Sequence, residues 1–275
     1  MTKMSETKLS SIIAPATLAE RLNNPGLLIV DVSAPEEFAA GHIPGAVQIE
    51  YSAYVSGSPP VMGLISDPKQ LSIALSGIGF TAEKHVVAYD RNGGGQAGRL
   101  LYTLDAIGHT AGSLLDGGLQ AWAAAELPLE TGAANPEPSQ YQAQYVGNNA
   151  VDKDYILSRL GSDDVAILDC RSPAEYHGQD VRSARGGHIP GAINFNWTDA
   201  FDPNKPPSLR DLEELRREFE TQGITADKEV IAYCQTHTRS SHTYMLLKQL
   251  GFTNVRGYPG AWSDWGNDPE TPIEQ

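Results

Sequence analysis

A cysteine and a short polar run stand between a strand pattern and a helix pattern near the C-terminus. Residues 229–233 are mostly apolar and β-branched, Cys234 ends them, and Leu and Met recur at helical spacing over residues 241–250. Backbone amides of such a loop and of the first helical turn converge on one place, where the helix dipole is positive. We therefore expect the sulfur of Cys234 to ionise and to act as a thiolate nucleophile.

The polar run after the cysteine supplies hydrogen-bond donors and positive charge. Arg239, and His237 where it is protonated, would attract an anionic substrate, and the hydroxyl side chains could donate to it. The predicted substrate-binding residues are Gln235, Thr236, His237, Thr238, Arg239, Ser240 and the more distant Arg185. The alternative that these residues leave open is a buried cysteine at a strand end, beside an exposed polar turn.

Length and charge limit the classes of protein to which the chain can belong. Its 275 residues exceed the usual size of one domain and predict two. A net charge of −14 argues against nucleic acid or an anionic membrane as the main partner. Two cysteines are too few for a disulfide framework, and residues 1–11 have no apolar core like that of a signal peptide. We predict a cytoplasmic protein that binds neither nucleic acid nor membrane.

Five segments occur twice in the same order, which indicates two tandem copies of one unit. The matched segments are 27–31 with 165–169, 34–38 with 172–176, 41–46 with 187–192, 86–89 with 230–233, and 116–122 with 259–265. Strands and helices alternate in each copy, which predicts an α/β fold with a mostly parallel sheet and helices on both faces. The hexapeptide Gly-His-Ile-Pro-Gly-Ala is identical in the two copies, so His42 and His188 are predicted to serve a shared structural turn.

The predicted domains are residues 1–130 and residues 148–275, joined by a linker at 131–147 that lacks any periodic pattern. Aligning the copies places Asp90 where the second has Cys234, so only the second copy carries a nucleophile. Ligands of open parallel sheets bind at the carboxyl ends of the strands. We expect a cleft between the copies in which the first copy forms a wall.

These features resemble those of the tandem-domain rhodaneses, sulfurtransferases that pass sulfane sulfur from a donor such as thiosulfate to cyanide or a thiol. The resemblance runs from about Ala14 to Trp265, and its motifs are the repeated turns, residues 169–171, the Cys234 loop and residues 260–265. It implies two rhodanese-like domains, the first non-catalytic and the second catalytic with a persulfide on Cys234. It also implies that no metal or organic cofactor is required.

The length of the loop separates this interpretation from its nearest rivals. Related phosphatases and arsenate reductases have an arginine six positions after the cysteine, whereas here Arg239 stands at five and Ser240 at six. A shorter loop suits the outer sulfur of a persulfide better than a tetrahedral phosphate or arsenate. The Cys-Gln-Thr-His-x-Arg-Ser loop resembles that of a bacterial rhodanese subgroup, which favours thiosulfate as the donor in vitro.

A second function stays open because Glu175 stands where the resemblance would place a donor-binding arginine. We expect this carboxylate to repel an anionic donor. That favours a persulfide carrier that delivers sulfur to a protein acceptor, such as a thioredoxin-like protein. Cys170 follows a strand-end Asp and is predicted to be a packed thiol, with a resolving role toward Cys234 as the alternative.

A glycine pattern in the first copy suggests another reading. Gly93, Gly95 and Gly98 follow a strand and precede a helix, as in dinucleotide-binding folds. The repeat explains the same residues as the counterpart of the Cys234 loop, and we favour that explanation.

Overall fold

The computed structural model describes residues 9–275, and the first domain alternates strands with helices. Its strands are β1 (Ile12–Ile13), β2 (Leu27–Asp31), β3 (Val47–Gln48), β4 (Val55–Ser58), β5 (Val61–Ile65), β6 (His85–Tyr89) and β7 (Gly112–Leu115). Its helices are α1 (Pro15–Ala19), α2 (Pro35–Ala40), α3 (Tyr51–Tyr54), α4 (Pro68–Gly77), α5 (Gly95–Ala106) and α6 (Gly118–Ala124).

The second domain repeats this plan with fewer strands. Its strands are β8 (Val165–Asp169), β9 (Ile193–Asn194), β10 (Glu229–Tyr233) and β11 (Val255–Gly257). Its helices are α7 (Lys153–Arg159), α8 (Pro173–Tyr176), α9 (Leu212–Thr221), α10 (Arg239–Gln249) and α11 (Ala261–Trp265), with a 3₁₀ turn at Trp197–Ala200.

Each domain is built on a parallel sheet. The strand order is β1-β7-β6-β2-β3 in the first sheet and β11-β10-β8-β9 in the second, and every neighbouring pair in them is parallel. In both sheets the strand that precedes the loop of interest, β6 or β10, lies inside the sheet, so its carboxyl end is flanked by other strands. This arrangement confirms the predicted α/β class with two tandem copies.

Alternate residues of the central strands face opposite cores, as parallel strands covered on both faces require. Ile231 packs in a core confined to the second domain, whereas Val230 and Ala232 face a larger core. That larger core also contains Val86 and Ala88 of the first domain, so the two domains share it. Helices α5 and α10 pack against each other there, and nearly all of their residues are buried.

The two identical turns have the same structural role in both domains. His42 Nδ1 bonds to the carbonyl of Phe38, and His188 Nδ1 bonds to the carbonyl of Tyr176, each at 2.9 Å. Each imidazole also stacks on the ring of that aromatic residue. These contacts fit the structural role predicted for the two histidines.

A hairpin in the first domain and the segment that follows this domain differ from the sequence interpretation. Strands β4 and β5 form an antiparallel hairpin that no periodic pattern indicated. The predicted linker has no helix or strand of its own, but it is bound along the first domain: Ser139 N donates to the Ser76 carbonyl, and Gly147 N donates to the Ala106 carbonyl. The linker therefore reaches the second domain as a fixed strap.

Among the helices formed by residues 9–275, none combines the length and apolarity needed to cross a membrane. Residues 1–8, which make up most of the segment compared with a signal peptide, lie outside the described residues.

Candidate active site

Cys234 directly follows the last residue of β10. There the chain leaves the second sheet and turns through a short loop into α10. The helix begins at Arg239, two residues earlier than the periodicity predicted, and Thr238 before it already has helical backbone angles. Arg239 and Ser240 therefore belong to the first helical turn, whose amides have no partners within the helix. The loop proper is only four residues long, from Gln235 to Thr238.

The surroundings of the Cys234 sulfur favour its ionised form. Burial alone would raise the pKa of this thiol, since only 1% of the residue is exposed. The Arg239 guanidinium, the Ser240 hydroxyl and the backbone amides of Ser240 and Thr236 oppose burial and bring the pKa below that of an ordinary cysteine. The site can thus hold a thiolate.

Arg239 reaches the sulfur while it is held from the other side by Glu175. Its two terminal nitrogens donate to the two carboxylate oxygens at 2.6 and 2.8 Å. Although burial opposes ionisation, Arg239 lowers the pKa of the buried Glu175 carboxyl to about 2. We had expected Glu175 to be an isolated charge that repels an anionic donor. It is instead part of a bidentate ion pair.

His237 does not supply the positive charge that the sequence suggested. Its side chain is fully buried against the ring of Tyr102, and its Nδ1 lies 2.7 Å from the Ser240 hydroxyl. Burial, reinforced by the nearby Arg99 guanidinium, lowers its pKa well below that of an ordinary histidine. The imidazole is neutral near pH 7, and it supports the loop instead of attracting an anion.

The remaining polar side chains of the loop have partners of different kinds. The Thr238 hydroxyl shares a hydrogen bond of 2.6 Å with the hydroxyl of Tyr51 in the first domain. Gln235 extends away from the loop, and its side-chain nitrogen donates to the Ser183 hydroxyl at 3.1 Å. Gln235, Thr236 and Thr238 are each partly exposed, so we expect a small molecule approaching Cys234 to meet them first.

Arg185 lies in a different environment from the one predicted. Its guanidinium donates to the carbonyl of Thr271 at 2.8 Å, to that of Trp265 at 3.1 Å and to that of Asp268. These bonds fasten the C-terminal segment to the second domain and occupy the charged group. The expectation that Arg185 lines a substrate cleft is therefore corrected: it is a structural clamp.

Three residues of the first domain that were missed contact the cysteine loop. Tyr51 is bonded to Thr238, Arg99 lies 3.4 Å from the Thr236 carbonyl, and a Cβ on Gly63 would lie 2.4 Å from that same carbonyl oxygen. The hairpin that carries Gly63 thus presses on the loop. Arg99 gave a usable signal, because it is the single cation in an otherwise apolar stretch of helix, whereas nothing marked Tyr51 or Gly63.

Cys170 lies in the core and not at the site surface. The residue is fully buried, and burial raises the pKa of its thiol well above the ordinary value. This is the environment of the packed thiol that the sequence predicted. The neighbouring Arg171 pairs with Asp169 at 2.6 Å and lies over the ring of Trp262.

The corresponding loop of the first domain is occupied by its own strand-end residue. The buried Asp90 carboxylate accepts hydrogen bonds from the backbone amides of Asn92, Gly94, Gln96 and Ala97, at 2.8 to 3.2 Å. Gly98 brings helix α5 against helix α10, since a Cβ there would lie 2.9 Å from the Ser241 carbonyl oxygen. Packing and the Asp90 loop thus account for the glycine pattern that resembled a dinucleotide motif.

Among residues 9–275, no three His, Cys, Asp or Glu side chains converge as a metal site would require. The groups that face Cys234 are instead hydrogen-bond donors, which suit an anionic sulfur.

Comparison with known proteins places this geometry in a family. The rhodanese-like domain model matches the chain twice, at residues 14–125 and 152–268. The thiosulfate sulfurtransferase of Azotobacter vinelandii is 43% identical over 97% of both chains, and the sulfur carrier protein TtuD of Thermus thermophilus is 30% identical over 95% of both. A crystal structure of SseA from Escherichia coli, described as a 3-mercaptopyruvate sulfotransferase with the rhodanese fold, superposes with a TM-score of 0.81 at 28% identity. That match covers 92% of this chain and 99% of SseA.

Proposed function

The chain belongs to the rhodanese-like domain family, and we propose that it is a thiosulfate sulfurtransferase whose second domain carries the transferred sulfur on Cys234. The single observation that supports this most is the environment of the Cys234 sulfur. A guanidinium, a hydroxyl and two backbone amides lower the pKa of a thiol that burial alone would keep protonated. The first domain, with Asp90 at the matching position, is the non-catalytic one in this proposal.

The proposed reaction is a double displacement. The Cys234 thiolate attacks the outer sulfur of thiosulfate, the bond between the two sulfurs of the donor breaks, and its electron pair leaves with sulfite. The enzyme then holds Cys-S-S⁻, with the amides of Thr236 and Ser240 near the new anion. Cyanide or a thiolate attacks the terminal sulfur, and the Cys234 thiolate is restored. The protein gains and loses one sulfur atom per cycle.

The ion pair beside the sulfur supports thiosulfate over a carboxylated donor. The bidentate bond to Glu175 occupies both terminal nitrogens of Arg239, and carbonyls occupy Arg185. Neither guanidinium is then free to bind the carboxylate that 3-mercaptopyruvate carries. We therefore expect a higher kcat/KM for thiosulfate than for 3-mercaptopyruvate when cyanide is the acceptor.

A test of the proposed function combines mass and turnover. After incubation with thiosulfate and removal of excess donor, the intact protein should gain the mass of one sulfur atom, and added cyanide should remove it. The Cys234→Ser protein should show no gain, whereas Cys170→Ser should gain one sulfur as the wild type does. A Cys234→Ser protein that still takes up sulfur would refute the assignment of the nucleophile.

Delivery of sulfur to a protein is the second candidate, because a relative with 30% identity is named a sulfur carrier protein. Single-turnover transfer from the persulfide to reduced thioredoxin, compared with transfer to cyanide, distinguishes the two. Faster transfer to the protein would favour a sulfur carrier, and faster transfer to cyanide would favour an enzyme that acts on small-molecule acceptors.

We keep the cytoplasm as the proposed compartment, which two unpaired cysteines favour.

A further inference from the structure

Arg99 is a buried cation of the first domain that lies against the cysteine loop of the second. The residue has no exposed surface, and one terminal nitrogen donates to the Gly63 carbonyl at 2.5 Å. The other terminal nitrogen lies 3.4 Å from the carbonyl oxygens of both Thr236 and His237. The ring of Tyr102 lies 5.5 Å from the guanidinium carbon. A charge from one domain thus reaches the backbone of the other.

Among the described residues, this guanidinium has no carboxylate partner. None of the ion pairs formed within residues 9–275 includes Arg99. Removing an unpaired charge from water costs several kcal/mol, roughly, unless another charge compensates for it. The acidic groups that act on Arg99 are Tyr51, Tyr102, Cys234 and Tyr54.

Only one of those four groups can be an anion near neutral pH. Burial raises the pKa of the three phenols, so they stay protonated. The pKa of Cys234 is lowered instead. Of these four groups, the sulfur is therefore the one that can act on Arg99 as an anion. Arg239 is the other cation that acts on the sulfur, and it is shared with the Glu175 carboxylate.

We propose that Arg99 is a positioning residue of the active site: it fixes the carbonyls of the cysteine loop, and it adds a buried positive charge against that loop which favours the Cys234 thiolate and persulfide. The inference rests on the proposed function, since it takes Cys234 as the reacting group. It gives the non-catalytic domain a defined contribution to the chemistry of the other domain.

The second part of this role follows from peptide geometry. In a planar trans peptide the C=O and the next N–H point in opposite directions. Arg99 holds the carbonyls of Thr236 and His237, so it also sets the direction of the amides of His237 and Thr238. In the first domain the amide at the position of Thr238, that of Gly94, donates to the strand-end carboxylate. By this correspondence with the first domain, Arg99 would direct the Thr238 amide toward the anion site.

The test measures the pKa of the Cys234 thiol directly, through the pH dependence of its alkylation by iodoacetamide followed by peptide mapping. Arg99→Gln keeps a hydrogen-bond donor but removes the charge. We expect it to raise the thiol pKa by about one unit, and therefore to slow alkylation about tenfold at a pH below the thiol pKa of both proteins. Arg99→Lys, which keeps the charge, should restore most of the rate. An unchanged thiol pKa in a folded Arg99→Gln protein would overturn the inference.

Arg256→Gln is the matched control, because Arg256 pairs with Glu229 at the opposite end of β10. Its thiol pKa should equal that of the wild type, and a shift as large as that of Arg99→Gln would count against a specific role for Arg99.

If Arg99→Gln does not fold, an NMR titration of the wild type tests the inference instead. The ¹⁵Nη signals of Arg99 should titrate with the Cys234 thiol and should lose that transition in Cys234→Ser; signals without the transition in the wild type would refute the inference.

These measurements need no sulfur transfer, so the inference and the proposed function can fail separately. A raised thiol pKa in Arg99→Gln supports the positioning role even if the wild type does not turn over thiosulfate. Turnover of thiosulfate by the wild type, with an unchanged thiol pKa in Arg99→Gln, supports the function and overturns the positioning role.

Discussion

The loops that follow β6 and β10 occupy the same place in the two domains, and both set an acidic side chain against backbone amides. In the first loop the Asp90 carboxylate accepts from four of them. In the second, the amides of Thr236 and Ser240 face the Cys234 sulfur, two and six positions after the strand-end residue. Asn92 and Gln96 hold those positions in the first loop. The comparison indicates that the fold provides the anion site, while the strand-end residue decides whether chemistry follows.

The two loops differ in what surrounds them. Glu175 is buried and bound to the Arg239 guanidinium, whereas its counterpart Glu37 is exposed and its carboxylate accepts from the nearby Ala34 amide. Position 95, which corresponds to Arg239, is a glycine. The second loop therefore has a cation beside the anion site, and the first has none in its helical turn. A thiol needs a nearby cation to lower its pKa toward neutral pH, whereas a carboxyl such as that of Asp90 is ordinarily ionised without one.

The strongest way to break the comparison is to make the second loop resemble the first. Cys234→Asp should lower thiosulfate:cyanide turnover by at least about 10³-fold, because no thiolate remains to carry sulfur. The same variant should keep a free energy of unfolding within about 1 kcal/mol of the wild type, because the loop amides can accept a carboxylate. Steady-state kinetics and urea unfolding measure the two quantities.

Cys234→Ser is the control for this variant, since it removes the nucleophile without adding charge. Both variants should be inactive. If Cys234→Asp unfolded far more easily than Cys234→Ser, the second loop would not be an anion site like the first.

Removing the resident carboxylate of the first loop should affect stability instead. Asp90→Ala leaves four backbone amides without their acceptor, two of them in fully buried bonds, and we expect a loss of about 3 to 4 kcal/mol in the free energy of unfolding. Asp67→Ala is the matched control, because Asp67 also accepts from backbone amides but at an exposed helix start. That change should cost about 1 kcal/mol. Equal losses in the two variants, measured by urea unfolding, would contradict a special role for the Asp90 amides.

The position eight residues after the strand end gives a third test, because it is His242 in one domain and Gly98 in the other. Burial among Trp197, Phe201 and Gly94 lowers the pKa of His242 to about 4. Between about pH 6.5 and pH 4 the unfolded chain binds a proton that the folded chain does not. Stability contributed by the neutral imidazole is therefore complete above about pH 6.5 and falls with pH, by up to about 3 kcal/mol.

Carboxylates also titrate in this range, so the measurement is a difference. We measure the free energy of unfolding in urea for the wild type and for His242→Leu at pH 7 and pH 4.5. The decrease in this free energy between the two pH values should be smaller in the variant. His177→Gln, a change at an exposed histidine, should leave the loss as in the wild type. An equal decrease in His242→Leu and in the wild type would show that His242 does not contribute to the pH dependence of stability.

The smallest expected effect concerns the choice of donor. Glu175→Gln weakens the bond to Arg239 and frees its guanidinium for a substrate carboxylate. The ratio of kcat/KM for 3-mercaptopyruvate to that for thiosulfate should rise about tenfold, as one charge-assisted hydrogen bond allows. Glu37→Gln in the first domain should leave the ratio unchanged. A constant ratio in both variants would mean that this ion pair does not select the donor.

Much of the fold was predictable because repetition and periodicity are both written in the chain. The family and the tandem α/β organisation are confirmed, and strands such as Leu27–Asp31 and Val165–Asp169 were predicted within a residue. Short apolar runs bounded by turn residues fix such strands locally. The hairpin formed by β4 and β5 was missed, because its residues alternate weakly and its position depends on packing against the other domain.

The site was predictable where it depends on local sequence and was missed where it depends on distant contacts. Cys234 and the donors of its loop follow from one strand, one turn and one helix. The ion pair between Arg239 and Glu175, the neutral state of His237 and the role of Arg185 depend on which groups the fold brings together. A charged residue in a sequence does not say whether its charge is free. This is why the predicted cations of the site were partly wrong.

The core that spans both domains has a consequence for how the protein can be divided. Helix α10 is covered on one side by its own sheet and on the other by α5, so an isolated C-terminal half would present that apolar side to water. Cutting the strap at Gly147 would therefore yield two fragments that associate or precipitate, and no minimal enzyme. The first domain, which has no cysteine, is thus needed to keep the Cys234 domain folded and soluble.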